Sequence, residues 1–272
     1  MKYVTERLYF AAMFLRTKIL LIAIIFSALI VDASTHKKTK KTPSIPLLEA
    51  GAFGFVAHVP DYPASSEGRL RFLALPAIIY RGKILRSDRQ KGTRLKLFQN
   101  ENIQLDLSAS ASFPSASEEN KIRKNMPPLD WLIELGPRIV LPLKESWLGW
   151  YGEFRLPLRG AISLHLKRHS YRGFRLAPNF FAWKKLSTYQ LKIFLKISFN
   201  FIDRKYAAFF YQVDTPYITE KRNFYSAKPG YLGNQFAVLA QKKMNQVNFF
   251  GGIEFQSYKN ARKVGFKNIN ID

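Results

Sequence analysis

The chain has 272 residues, no cysteine and a formal net charge of +24, which excludes disulfides, thiolate nucleophiles and Cys-ligated zinc. Hydrophobic residues make up 47%, aromatics 15% and charged residues 23%, too much apolar surface for a disordered chain. That length suits one large β domain as readily as two ordinary domains.

Residues 1–33 read as an export signal. Arg16 and Lys18 precede the apolar run from Ile19 to Val31, and Val31-Asp32-Ala33 offers a small-residue pattern for cleavage after Ala33. The run is shorter than the roughly 20 residues a spanning helix needs. Residues 34–46 follow as a basic, flexible segment whose dense part is His36 to Lys41. A strongly basic chain attracts polyanions, but here the charge is spread along the sequence and export argues against nucleic acid.

From residue 47 onward the pattern is that of strands separated by turns. Residues 48–59, 70–80 and 94–98 are irregular strand candidates, with turn signals at Arg81-Gly82-Lys83 and Lys91-Gly92-Thr93. Residues 104–113 alternate without error: Leu105, Leu107, Ala109, Ala111 and Phe113 oppose Gln104, Asp106, Ser108, Ser110 and Ser112. A polar loop is expected over 114–128. Residues 131–143 are apolar at every odd position and opposed by Glu134 and Arg138. The longest alternation covers 153–167, where Phe154, Leu156, Leu158, Ile162, Leu164 and Leu166 oppose Glu153, Arg155, Arg159, His165 and Lys167. Residues 189–201 repeat the scheme with Lys192 and Lys196 on the polar side, as do residues 247–255 more weakly. The stretches 174–183, 205–213 and 231–241 are less regular strand candidates, and a second loop is expected over 215–230. No stretch has the period of an amphipathic helix.

A strand with one apolar face fits two solvents. In a soluble barrel the apolar face points inward; in a membrane barrel it points outward and the polar face lines the lumen. The export signal, strands of about 9 to 11 residues and aromatics near segment ends (Trp147, Trp150, Tyr151, Tyr189, Tyr206, Tyr211) favour the membrane form. The expected fold is therefore all-β: a closed antiparallel transmembrane β-barrel of ten or twelve strands formed by residues 47–272.

Short segments found in order along the chain carry a family resemblance. They are Pro60-Asp61-Tyr62-Pro63, Ile79-Tyr80-Arg81-Gly82, Asp106-Leu107-Ser108, Arg123-Lys124-Asn125-Met126-Pro127, Glu134-Leu135-Gly136-Pro137 and Leu156-Pro157-Leu158-Arg159-Gly160, then Phe210-Tyr211-Gln212-Val213 and Tyr225 to Gly233. The set resembles the MipA/OmpV family of outer-membrane proteins over roughly residues 50–261. The resemblance implies a closed barrel in a Gram-negative outer membrane, in contact with its lipid. In the MltA-interacting branch it also implies a structural adaptor between a peptidoglycan hydrolase and a synthase. Residues 262–272 depart from the family pattern, lacking both its Ser-Pro-Leu-type segment and a final aromatic, as a truncated or divergent C-terminal end would.

No catalytic constellation is legible. His36, His58, His165 and His169 stand in no recognisable motif, and there is neither a nucleophile elbow nor a cofactor fingerprint. The expectation is a non-enzymatic protein without metal or cofactor. The candidate functional residues are the charges of the polar strand faces, expected to face the lumen: Glu134, Arg138, Glu153, Arg155, Arg159, Lys192 and Lys196. Carboxylates there, Asp106 among them, are expected to pair with Arg138, Arg155 and Arg159. Their basic surplus leaves two alternatives to the adaptor: a small-solute pore with an electropositive lumen, or a soluble periplasmic β-barrel that binds a ligand.

Overall fold

The computed structural model describes residues 22–29, 48–80, 85–88, 92–143, 146–165, 168–220, 222–244 and 247–258. Thirteen strands form one antiparallel sheet. In chain order they are β1 (Ile22–Leu29), β2 (Leu48–Pro60), β3 (Gly68–Tyr80), β4 (Leu85–Asp88), β5 (Gly92–Gln99), β6 (Gln104–Ser112), β7 (Trp131–Pro142), β8 (Trp150–His165), β9 (Arg168–Leu176), β10 (Asn179–Leu186), β11 (Leu191–Ile202), β12 (Gly230–Met244) and β13 (Val247–Ser257). Among the described residues one α-helix, α1 (Arg204–Tyr211), stands between β11 and β12. No helix among the described residues is long and apolar enough to cross a membrane, which says nothing about strands.

Successive strands pair in order from β4 round to β13, and β13 continues through β1 and β2 to β3. The sheet curls until side chains from β2, β6, β8, β11, β12 and β13 line one cavity. It does not close as expected, because β3 and β4 share no ladder among the described residues. Two features weaken that seam: β4 has only four residues to pair, and β3 carries Pro76, which has no N–H to donate and belongs at a sheet edge.

The strand count also differs from the expected ten or twelve, for a local reason. Residues 174–183, read as one strand, break at Ala177-Pro178 because proline ends the ladder. β9 pairs with the later half of β8 and β10 with the earlier half, and both then pair with β11. The two pieces fill one place, so thirteen strands occupy twelve positions. β1 lies inside the segment read as an export signal and pairs antiparallel with both β2 and β13. Residues 34–46, the expected basic segment, lie outside the described residues, as do 259–272.

Antiparallel order puts the connections 100–103 and 187–190 at one end, together with the last residues of β7 and β12. The long loops 61–67 and 113–130 and the described stretches 203–220 and 222–229 fall at the other, where they pack into a cap. Asn120 Nδ2 donates to Asp61 Oδ2 (3.0 Å), Tyr211 Oη to the Pro63 carbonyl (2.8 Å), Arg123 Nη1 to the Phe210 carbonyl (2.6 Å) and Arg222 Nη1 to the Ile122 carbonyl (2.5 Å). The apolar core sits under this cap, built from Tyr62, Leu129, Leu132, Tyr206, Phe210 and Tyr211 among others.

α1 corrects the expected strand at 205–213. Its start signal is Asp203, whose Oδ1 accepts the Tyr206 N–H at 2.8 Å. Tyr206, Ala207, Phe210 and Tyr211 then bury one face at i, i+1, i+4 and i+5. The same correction removes Tyr206 and Tyr211 from the expected aromatic rim. Gly173 is tied to this cap: its φ is +93°, and a Cβ there would run into the Asp203 carboxylate. Replacing Asp203 by Ala is expected to lower unfolding free energy by about 1 kcal/mol, read as an earlier urea midpoint with an unchanged slope.

Candidate functional site: a charged interior under a capped end

The polarity of the strands is inverted relative to a water-soluble domain. Along β8, Leu158, Ile162 and Leu164 are 46, 44 and 41% exposed, while Glu153, Ala161 and Ser163, of the opposite parity, are buried. Phe154 and Leu156 are half-buried, and Leu166 and Lys167 lie outside the described residues. β11 repeats the arrangement, exposing Ile197, Phe199 and Phe201 and burying Ser198 and Asn200. β7 exposes Ile133, Leu135, Ile139 and Leu141. Exposed aromatics gather towards both ends of the strands: Trp147, Tyr151 and Tyr189 beside the short connections, Tyr171, Phe174 and Phe201 beside the long loops.

Of the seven charges singled out in the sequence, Glu134 and Glu153 are buried and Arg138, Arg155, Arg159, Lys192 and Lys196 are half-buried. They are organised in pairs. Arg138 grips Asp106 through two bonds of 2.7 Å, Nε to Oδ1 and Nη2 to Oδ2, and Gln104 Nε2 adds a third at 3.1 Å. This fork geometry matches the carboxylate and suits a carboxylate that is 0% exposed. Arg155 donates from Nε to Glu153 Oε2 at 2.9 Å and lies 3.6 Å from the Phe181 ring centre. Lys192 sits over Phe194 and Trp183 at the short-connection end.

Glu134 is the hub. Its Oε2 meets Arg175 Nη2 at 2.8 Å and Arg159 Nη1 at 3.7 Å, while its Oε1 accepts the Tyr206 hydroxyl at 2.8 Å. Arg159 also donates from Nε to Ser108 Oγ at 2.8 Å. One carboxylate thus joins β7, β8, β9 and α1. Burial holds the Tyr206 and Tyr211 hydroxyls well above their usual range, so both remain protonated and act as donors. In the cap, burial also lowers the Arg123 guanidinium from its ordinary value.

Arg175 and Tyr206 were not legible as partners of Glu134 in the sequence. Arg175 falls in an irregular stretch, and only the register that sets it opposite Arg159 brings it to the hub. Tyr206 needed the helix that the alternation did not reveal, although Asp203 followed by paired apolar residues was available as a start signal. The histidines form no centre. His58 and His169 lie on β2 and β9, and His165 Nδ1 is 3.0 Å from Asp130 Oδ1. Among the described residues no group of His, Cys, Asp or Glu could hold a metal ion, and His36 lies outside them.

Fold and interior together define a class: a predominantly antiparallel β protein, with one α-helix among the described residues, exposed apolar strand faces and ion pairs within. The chain belongs to the MltA-interacting protein MipA family, whose model matches residues 52–263. That span contains every residue of the charged interior. No curated protein matches the chain.

Proposed function

We propose that this protein is a non-catalytic outer-membrane β-barrel that serves the envelope as a structural adaptor for a peptidoglycan enzyme. The inverted polarity carries the membrane part of the reading. Leu70 and Phe72 on β3 are 72 and 70% exposed, and each exposed apolar face on β7, β8 and β11 repeats the pattern. In water such faces would forgo roughly 25 cal/mol for every Å² left unburied; against lipid they incur no such cost. Short connections at one end and long loops at the other fit the two sides of an outer-membrane barrel. Closure of the β3–β4 seam belongs to the same proposal, because lipid penalises unpaired edges.

The adaptor role rests on the family description, MltA-interacting protein. A surface that holds a partner needs a rigid support rather than a reacting group, and the cap has one in its crossed hydrogen bonds. The electropositive pore is less well supported: Glu134, Glu153 and Asp106 already pair with the interior arginines, and the loop cap covers one end. Outer-membrane fractionation with heat-modifiable gel migration tests the barrel; recovery in the soluble periplasmic fraction would overturn it. Pull-down of a murein hydrolase of the MltA type tests the adaptor, and its absence from the captured complex would refute that part alone. Export through the apolar run at 19–31 is part of the reading. N-terminal sequencing of the membrane form will distinguish removal after Ala33 from retention of β1 as a wall strand.

A further inference from the structure

The interior holds a cavity of about 420 Å³ between the wall and the cap. Its cationic lining is formed by Arg159, Arg175 and Lys196, with the carboxylates Asp61 and Glu254 also on the wall, and Phe55, Ala57, Leu232 and Phe210 of α1 supply apolar surface. Two features of the cationic side are unused. Arg175 Nε is buried without a hydrogen-bond partner. Lys196 makes no ion pair or hydrogen bond among the described residues, in contrast to Arg138, Arg155 and Arg159.

The register shows why Lys196 is left over. It lies across from Ala237, which lies across from Glu254, so the nearest carboxylate on that row is two strands away. At roughly 4.8 Å per strand the two backbones are about 10 Å apart, and only the small Ala237 side chain stands between them. Glu134 satisfies one charge of the Arg159 and Arg175 pair, Glu254 offsets one more at a distance, and Asp61 is engaged by Arg69 and Arg71. One positive charge remains uncompensated in a shielded, half-apolar space.

We propose that this cavity binds a small monocarboxylate, its carboxylate between Lys196 and Arg175 and its short apolar tail against Phe55 and Leu232. A charge of minus one completes the ion balance, and a planar carboxylate suits the free Nε–H of Arg175. The cavity volume falls in the range of small-ligand sites. The site does not depend on which membrane holds the barrel or on any protein partner.

The full-length chain folded in detergent micelles is tested by equilibrium dialysis with radiolabelled butyrate. Saturable binding of one butyrate per chain is expected, displaced by other monocarboxylates and not by butylamine. Lys196→Gln is expected to weaken it at least tenfold. This variant also removes an unpaired shielded charge, so it should fold at least as well as the parent; Lys196→Met provides a second version with the same expectation. Lys185→Gln, an exposed residue on β10, should leave binding unchanged. Absence of saturable binding by a chain that still migrates heat-modifiably would overturn the site and leave the membrane proposal intact. So would undiminished binding by both Lys196 variants.

Discussion

Replacing Glu134 by Ala is expected to destabilise the protein by about 3 to 5 kcal/mol, the cost of stranding shielded charge when one partner of a buried ion pair is removed. Glu134 is 1% exposed and serves Arg159, Arg175 and the Tyr206 hydroxyl together. Its loss leaves two guanidiniums side by side and a phenol without an acceptor. Glu134→Gln keeps the shape and one acceptor but not the charge, so it should fall between Ala and the parent. Urea unfolding of the micelle-folded protein, followed by tryptophan fluorescence, measures the difference. The Glu134→Ala, Tyr206→Phe double variant adds a coupling test. Because the hydroxyl donates directly to the carboxylate, the two losses should combine to less than the sum of the single effects. Strict additivity would mean that α1 is not held by this bond.

Placing Lys at Leu158 is expected to impair insertion by about 2 to 4 kcal/mol, the cost of a lysine at the midplane of a barrel wall. Leu158 lies near the middle of β8, is 46% exposed, and stands beside Arg159, which points to the shielded side. Arg159→Ser is the matched control: Arg175 continues to hold Glu134, so assembly should survive with a smaller loss. Folding yield into short-chain lipid vesicles, read from the heat-modifiable band, compares the two. A tolerated Leu158→Lys with a failing Arg159→Ser would mean that water, not lipid, covers the apolar face.

The strand faces were open to reading because side chains alternate with a period of two, and a period needs only local order. The buried or half-buried charges Glu134, Arg138, Glu153, Arg155 and Arg159 share one parity on each strand, and the exposed Leu158, Ile162 and Leu164 share the other on β8. The helix at Arg204–Tyr211 escaped because eight residues give barely two turns and its aromatic content suits a strand equally well. What separates the two is Asp203 as a cap and a core for the buried face to meet, and that core is assembled from loops far apart in sequence, Tyr62 against Tyr211. The break at Pro178 was visible as a proline but not as two half-strands sharing one place, since that depends on both neighbours.

By itself the sequence determined the composition of each face, the predominantly β character and the family. These depend on residue identity and spacing along one strand. Tertiary structure decided which charges neutralise one another. Asp106 meets Arg138 because β6 and β7 pair in that register, and Arg175 reaches Glu134 because β9 lies across β8. Lys196 is left alone because Ala237 and not a carboxylate lies opposite. Strand register is a long-range property fixed by turns, bulges and closure, so the ion pairs, and the isolation of Lys196, emerge only when the sheet is assembled.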